Sequence, residues 1–414
     1  MKHSKLKYGW LLIVLFLWTG CARKSFQPLS YDPEGSTITT DKEIQFQQKK
    51  TFAFPESGVW VSNEFDGARL NDFQKVNDTT YVALILPENH PINNSAWYAF
   101  KIWASHRKRI RITLTYRYGT HRYIPKISRD GLRWAPVDSM FFTRDTSAGT
   151  AELKLTISPD TLWVSAQELI ASARFEAFMR RLAEKPYVTM NQIGLSKFGR
   201  PLYLLRISET DASKGHIFII SRQHPPEVTG TLALFTFLET LSEESQLARR
   251  FRSRFAVLAI PLMNPDGVDL GHWRHNGGGV DLNRDWFQFN QPETRQAKEI
   301  FEQAARTARP YFCLDFHSTQ EDVFYTLSKK LKTNPPGLTD RWLEKIQEMN
   351  PDYAVNESPS GLGTPVSKNW FYQTFQAPSV TYEVGDEKPR EQIRTIARSA
   401  AIALMQVVLD ALNE

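Results

Sequence analysis

The sequence predicts an α/β fold with a mixed sheet covered by helices on both faces, preceded by an all-β sandwich. The first observation is a period-two alternation of apolar and polar residues in the N-terminal half, which is typical of half-buried strands. The second is a C-terminal half in which nearly continuous apolar runs alternate with helical patterns, as in a sheet buried on both faces. The third is size, since 414 residues, of which 41% are hydrophobic, favour two domains over one.

The first residues have the composition of a targeting segment. Basic residues precede an apolar run over 10–18, which is shorter than the ~20 residues that a membrane span needs. Gly20 and Cys21 follow, and a small residue before cysteine resembles a bacterial lipoprotein cleavage site. We therefore predict lipidation of Cys21 and anchoring to the membrane of a bacterial cell envelope. An ordinary secretory signal cleaved nearby is the alternative.

The next part of the chain has the pattern of a β-sandwich. Ile110, Ile112 and Leu114 alternate with Arg111 and Thr113, and turn-forming residues separate this run from similar short runs. Several short strands with turns between them favour a sandwich. Its core is predicted to include five tryptophans, with an exposed sugar-binding stripe as the alternative: Trp60, Trp97, Trp103, Trp134 and Trp163.

The second domain is predicted to open with a helix. Ser165 and Glu168 form an S-x-x-E capping box before a run to about residue 184. We then predict strands at 203–207, 217–221, 255–260, 311–316, 323–327 and 379–384, and helices at 228–243, 293–308, 338–349 and 388–412. The predicted organisation is a signal peptide at 1–20, a polar tether at 21–45, a β-sandwich domain at 46–164 and an α/β domain at 165–414.

Charge and cysteine content exclude some classes of function. The net charge is +6, but residues 1–20 contribute three lysines and no acid, which leaves +3 for the rest. The basic cluster at 106–112 alternates arginine with isoleucine, as the wet face of a strand does, so nucleic acid is not an expected partner. Cys313 lies in an apolar strand and is expected to be a small buried hydrophobe without a disulfide partner.

Polar residues with the chemistry of a metal centre follow the apolar runs. His224 and Glu227 stand in HPPE, where Pro225 favours extended backbone at the histidine and Pro226 suits a first helical turn. Glu227 is expected inside that turn, so the two side chains can converge. Together with His317, which ends another strand, they can hold one zinc ion with a position open for water.

Each residue also has an ordinary explanation when it is taken alone. The H-x-x-E spacing arises by chance, and His317 could be a core histidine bonded to Asp315. Glu383 could cap a helix or lie on the surface, and Arg284 could form a surface ion pair. Their order along the chain is the stronger observation.

That order resembles the zinc metallocarboxypeptidase family of pancreatic carboxypeptidase A over roughly 186–414. The β-sandwich ahead of it is similar to the cytosolic carboxypeptidase, or deglutamylase-like, branch and its bacterial relatives. The motifs that carry the resemblance are H-x-x-E at 224–227, N-P-D-G at 264–267, D-L-N-R at 281–284, and the strand-terminal His317 and Glu383.

The resemblance implies roles for the residues around the metal. His224, Glu227 and His317 would hold Zn²⁺, and Asp281 would accept a hydrogen bond from the His224 ring. Glu383 would remove a proton from water and deliver it to the leaving amine.

It also implies roles on the substrate side. Arg274 would stabilise the oxyanion, while Asn283 and Arg284 would bind the terminal carboxylate of the substrate. Lys368 stands about where the family sets its side-chain preference, and we predict that it favours an acidic C-terminal residue. A solvated loop lysine is the alternative.

One family feature is missing from its usual place. A mobile tyrosine is expected about twenty residues before the catalytic glutamate, but Gly361 and Leu362 lie near that position. Tyr372 is the nearest downstream phenol.

The sequence therefore predicts a zinc carboxypeptidase that acts on peptides with a free carboxylate. Two other functions stay open. One is a peptidoglycan stem-peptide peptidase or amide hydrolase with the same metal centre, which the expected location favours. The other is a binding lipoprotein that has lost its activity, although the metal ligands and Glu383 are all present.

Overall fold

The computed structural model describes residues 32–412. The predicted signal peptide at 1–20 and the lipidation site Cys21 lie outside these residues, so both stay predictions. Within 32–412, every helix is too short or too polar to cross a membrane.

The N-terminal half consists of short strands arranged in two sheets. One sheet has the order β1-β2-β5-β11-β7-β8 and the other β3-β4-β6-β10-β9. The neighbours are antiparallel, except that β4 and β6 are parallel. In chain order, β1 to β11 are Thr51–Phe54, Val59–Ser62, Asp72–Asn77, Thr80–Ile85, Ala99–Ala104, Lys108–Tyr116, Lys126–Ser128, Ala135–Pro136, Phe142–Asp145, Thr150–Ile157 and Leu162–Ser165.

The two sheets share one hydrophobic cluster. Val61 and Ile102 from the first sheet and Ile112 and Leu153 from the second are all fully buried in it. This confirms a β-rich N-terminal region. Its independence as a domain at 46–164 stays a prediction, because the same cluster continues into the C-terminal half, for example at Ile217.

Two local predictions in this half are wrong. Ser165 ends β11 and pairs with Ala99, so it does not cap a helix; the helix begins at Ser172 instead. Strand pairing with two neighbours outweighs the local S-x-x-E signal. Of the five tryptophans, Trp97 is buried and the other four are half-buried, so aliphatic side chains supply most of the core.

The C-terminal half contains a sheet of order β12-β13-β15-β14-β16-β19-β17-β18. The pairs β15-β14, β14-β16, β16-β19 and β17-β18 are parallel, and the others are antiparallel. These strands are Val188–Leu195, Pro201–Ile207, Gly215–Ser221, Phe255–Ile260, Pro310–Thr319, Val323–Leu327, Glu357–Ser360 and Ser379–Gly385 for β12 to β19. Helices α1 to α8 are Ser172–Leu182, Val228–Leu241, Gln246–Arg252, Pro265–Leu270, Pro292–Ala305, Leu338–Met349, Ser367–Phe375 and Arg390–Asp410.

Helices cover this sheet on both faces, which confirms the predicted fold class. Successive residues of β14 point to opposite faces, as side chains of a strand must. Ile217 and Ile219 pack in the cluster that holds α2 and α8, whereas Phe218 and Ile220 pack in the cluster that holds α5 and α7. Because both faces of the sheet are buried, apolar residues follow one another along these strands almost without interruption.

The predicted tether packs against the C-terminal half from residue 32 onward. The Thr39 carbonyl accepts a hydrogen bond of 2.8 Å from Gln291, and the Lys42 amide donates to the Gly278 carbonyl at 2.8 Å. The role of 21–45 as a tether stays a prediction, although 32–45 contacts the C-terminal half. Backbone and polar side-chain groups of this segment form hydrogen bonds with the C-terminal half.

Candidate active site

Three buried side chains converge where β14 and β16 end. His224 lies in the turn after β14, Glu227 directly precedes α2, and His317 lies on β16. The Nδ1 atoms of His224 and His317 are 2.8 and 2.7 Å from the two carboxylate oxygens of Glu227. One ligand atom from each residue lies within 4.8 Å of the others, and two imidazoles with a carboxylate fit Zn²⁺. The helix begins at Val228, as the sequence predicts, but Glu227 is its N-cap residue and does not lie inside the first turn.

Both imidazoles are held from behind by an aspartate. The Nε2 atom of His224 is 2.9 Å from Asp281, and the Nε2 atom of His317 is 2.8 Å from Asp315. Asp315 also accepts hydrogen bonds from Gln223, at 2.7 Å, and from Ser367. A proton on each Nε2 leaves each Nδ1 lone pair aimed at the same point, which is how such aspartates orient metal-binding histidines.

Glu383 lies beside this cluster because β19 runs parallel to β16. In the register of the two strands, Glu383 is opposite His317. Its Oε2 atom is buried and has no hydrogen-bond partner in the described part of the chain. Burial raises the pKa of Glu383 to about 7, so at neutral pH this carboxyl can both take up and release a proton.

Arg274 reaches the cluster from the loop after α4. Its Nε donates a 2.7 Å hydrogen bond to Asp281, the carboxylate that also contacts His224. Among residues 32–412, neither terminal nitrogen of Arg274 has a hydrogen-bond partner. Arg274 lines the cleft, where these N–H groups can bind a negatively charged oxygen.

Asn283 and Arg284 lie in a short 3₁₀ turn and also line the cleft. Asp281 starts this turn by accepting a 2.8 Å hydrogen bond from the Asn283 amide. The Oδ1 atom of Asn283 accepts from the Ser367 amide at 3.0 Å. Arg284 donates from Nη2 to both carboxylate oxygens of Asp32, at 2.7 and 2.9 Å.

Lys368 is buried at the start of α7 and also lines the cleft. Its ammonium donates to the Thr326 carbonyl at 3.0 Å and to the Ser360 hydroxyl at 2.8 Å. No carboxylate of residues 32–412 forms an ion pair with it. Burial lowers the pKa of Lys368 to about 8. The alternative of a solvated loop lysine is therefore wrong.

The tyrosine expected from the resemblance is not supplied by the predicted segment. Tyr372 donates a 3.2 Å hydrogen bond to the Lys332 carbonyl and does not line the cleft, and neither Gly361 nor Leu362 does. Tyr325 on β17 does line it. Burial, and then the charge of Glu383, raise the pKa of this phenol, which stays protonated at neutral pH.

The N-terminal half contributes residues that the sequence analysis missed. Arg122 lies in the cleft, where its Nε is 2.8 Å from Asp386 and its Nη1 is 3.0 Å from the Ser95 hydroxyl. No local pattern marks these positions. Arg122 and Asp386, for example, are more than 250 residues apart in the chain. The whole cleft has a volume of about 390 Å³.

Comparison with known proteins agrees with this geometry. A family model described as zinc carboxypeptidase matches residues 175–403. The chain is 22% identical over 341 residues to an uncharacterised protein of Zymomonas mobilis, covering 78% of this chain and 87% of that protein. It is 33% identical over 120 residues to cytosolic carboxypeptidase 6 of Mus musculus, covering 27% of this chain and only 22% of that protein.

Solved structures show the same fold. A metallo-carboxypeptidase from Burkholderia cenocepacia superposes with a TM-score of 0.72 at 19% identity, covering 85% of this chain and all of that one. A metallo-carboxypeptidase from Pseudomonas aeruginosa, in complex with (2-guanidinoethylmercapto)succinic acid, gives 0.71 at 20% identity, covering 84% and 99%. Since the family model spans more than half of the chain and the His-Glu-His cluster fits its metal, the chain belongs to the zinc carboxypeptidase family of peptide hydrolases.

Proposed function

We propose that this enzyme removes single residues from the C-termini of peptides and prefers an acidic residue at that end. The observation that supports this most is Arg284, whose guanidinium already holds a carboxylate group, that of Asp32. A substrate with a free C-terminal carboxylate offers the same chemistry at the same place. Cleavage one residue from a chain end follows when that end is fixed.

The reaction centre consists of His224, Glu227, His317 and Glu383. The first three would hold zinc, which supplies a Lewis acid and makes water a nucleophile near neutral pH. Glu383 takes a proton from the attacking water and returns it to the leaving amine. Its free Oε2 atom and its pKa near 7 suit both steps.

Arg274 would stabilise the negative charge that develops on the scissile carbonyl oxygen. Its terminal N–H groups have no hydrogen-bond partner among residues 32–412, while Asp281 fixes the Nε end of the guanidinium at 2.7 Å. Donors held in place before the reaction cost no reorganisation in the transition state.

Arg284 and Asn283 would bind the terminal carboxylate. A substrate must then displace Asp32, whose side chain is 39% exposed and can move into water. The Arg284–Asp32 ion pair therefore competes with substrate, and we expect it to weaken binding and to leave the chemical step unchanged.

Lys368 would select the side chain of the C-terminal residue. Its ammonium uses two of its three N–H groups on Thr326 and Ser360 and keeps one for a ligand. A carboxylate there would neutralise a buried charge that no described acid balances. A C-terminal glutamate or aspartate is thus favoured over leucine, and lysine is disfavoured.

A panel of peptides that differ only in the C-terminal residue tests this proposal. The purified zinc-loaded enzyme should hydrolyse Glu-terminated peptides faster than Leu- and Lys-terminated ones. Lys368→Glu should reverse the ranking of Glu and Lys, and an unchanged ranking would rule out the role of Lys368. The panel also needs D-residues and cell-wall stem peptides, because turnover of these alone would indicate a peptidoglycan peptidase.

We further propose that the enzyme is lipid-anchored in a bacterial cell envelope through Cys21. The support is the basic and apolar segment before Gly20 and Cys21. Labelled palmitate should be incorporated into the wild type and not into Cys21→Ser. Secretion of an unlabelled wild type would favour the ordinary signal peptide.

A further inference from the structure

Glu88 connects the N-terminal half to the loop that carries Arg274. It follows β4 in the chain and is completely buried. Its carboxylate accepts hydrogen bonds from three consecutive backbone amides: Trp273 at 2.7 Å, Arg274 at 3.0 Å and His275 at 2.6 Å. Three successive N–H groups directed at one carboxylate fix the course of the backbone at that point.

The neighbouring Asn89 holds the same loop further along. Its Oδ1 atom is 2.6 Å from Nδ1 of His275, and its Nδ2 donates to the Gly279 carbonyl at 3.0 Å. Glu88 and Asn89 together form what we call the clasp. The clasp spans both ends of the segment between Trp273 and Gly279.

Glu88 is ionised although it is completely buried. Burial raises the pKa of this carboxyl, whereas His272, His275 and Arg69 lower it. The lowering is the larger effect, so the pKa of Glu88 lies below its ordinary value. Arg69 is itself buried in the N-terminal half. The carboxylate is therefore ionised, and a charged acceptor binds amides more strongly than a neutral one.

Arg274 is thus held at two points. The clasp fixes its backbone, and Asp281 fixes its Nε at 2.7 Å. Between these two points the side chain has little freedom, and Arg274 lines the same cleft as the His-Glu-His cluster, where its terminal N–H groups can act. If the backbone shifted, the bond to Asp281 would pull those N–H groups away from that space.

We propose that Glu88 is a positioning residue for the reaction, and that the N-terminal half thereby forms part of the active site. It acts through Arg274, so this inference rests on the function proposed above. An oxyanion donor works only at hydrogen-bond distance from the developing charge, and a small displacement is costly. Glu88 should therefore affect the transition state more than the binding of substrate.

The test compares kcat and KM for Glu88→Gln, Arg274→Ala and the double variant on a Glu-terminated peptide. The glutamine turns an N–H₂ group toward one of the three amides and weakens the clasp. We expect kcat to fall by at least about ten-fold in Glu88→Gln, with KM changed by less than about three-fold. The double variant should lose no more than Arg274→Ala alone, because the two residues act through one group.

Glu387→Gln is the matched control. Glu387 also joins the two halves, through a 2.8 Å hydrogen bond from the Ile124 amide and a 2.8 Å ion pair with Lys126, but it does not contact the Arg274 loop. It should lower the melting temperature without changing kcat. Zinc content, measured for every variant, should stay stoichiometric.

A second variant covers the case in which Glu88→Gln does not fold. Asn89→Ala removes the outer part of the clasp at a half-buried position, and a smaller fall in kcat is expected. Additive losses in the double variant, or equal behaviour of Glu88→Gln and Glu387→Gln, would overturn the inference. If Arg274→Ala itself keeps full kcat, the proposed role of Arg274 fails instead.

Discussion

The floor and the wall of the cleft are built differently. The floor consists of His224, Glu227, His317 and Glu383, and both of its imidazoles are backed by a buried aspartate. The wall consists of Arg284, whose partner Asp32 can be replaced by substrate, and Lys368, whose ammonium has one N–H group left for a ligand. The side chains of the floor are therefore held in one arrangement, whereas those of the wall can exchange a protein partner for substrate.

The difference separates chemistry from selection. Changes in the floor should alter kcat for every peptide, because they act on the reaction itself. Changes in the wall should alter KM and the ranking of substrates, because they act on how the chain end is bound.

Glu383→Gln should have the largest effect. The amide cannot take a proton from water, so we expect kcat to fall about a thousand-fold for every peptide tested. Zinc stoichiometry should be unchanged, since Glu383 is not one of the three converging ligands. Glu176→Gln, which changes an exposed ion pair, serves as the control. A loss confined to one class of peptide would break the separation of floor and wall.

Arg284→Lys should mainly raise KM. The lysine keeps the charge but loses the planar fork, which costs about 1.5–3 kcal/mol, or roughly ten- to hundred-fold in kcat/KM. Steady-state kinetics on peptides with a free C-terminus measures this. Arg295→Lys on α5 is the matched control, since the Arg295 side chain donates to the carbonyls of Phe289 and Asn290 and does not line the cleft. A fall in kcat with unchanged KM would contradict the prediction.

The preference for acidic ends should depend on pH through Lys368. Its ammonium is charged below the lowered pKa of about 8 and neutral above it. The ratio of kcat/KM for Glu- over Gln-terminated peptides should therefore be full at lower pH and fall, by roughly ten-fold, as pH rises through about 8. Lys368→Met should remove this step. A step that persists in Lys368→Met would assign the titration to another group.

Asp32→Asn should have the smallest effect. An ion pair with a partly exposed partner is worth at most about 1 kcal/mol, so KM should fall by up to roughly five-fold, with kcat unchanged. Asp41→Asn is the control on the same segment, because Asp41 contacts Lys197 and Gln291 and not Arg284. Equal kinetics in Asp32→Asn and the wild type would show that Asp32 does not compete with substrate.

The fold of the C-terminal half was predictable because its strands carry a strong local signal. Strands buried on both faces are continuous in hydrophobicity, and 255–260 and 323–327 were predicted with the bounds observed. The edge strand Val188–Leu195 was missed, because its polar residues face water and give no apolar run. The short helix Pro265–Leu270 was missed as well, because it is too short to show a helical period and its start is marked by a capping residue, Asn264.

The site was predictable only where chemistry is tied to strand ends. His317 and Glu383 follow apolar runs, and parallel pairing of β16 with β19 places them side by side. Arg122 and Asp32, which line the cleft, were not predictable, and neither was Glu88, which holds the Arg274 loop, because each lies in a part of the chain with no local motif. Their positions depend on how the N-terminal half packs, which a single sequence does not encode as a pattern.

The clasp also limits how this enzyme can be rearranged. The two halves look like separable modules along the chain, yet Glu88 and Asn89 shape a loop that belongs to the other half. A chimera that exchanged residues 46–164 for an unrelated β-rich module would keep every metal ligand and lose the support of Arg274. Inheritance of the two halves as one unit is therefore the expected evolutionary pattern, and grafting of the C-terminal half alone should yield a protein that binds zinc but turns over slowly.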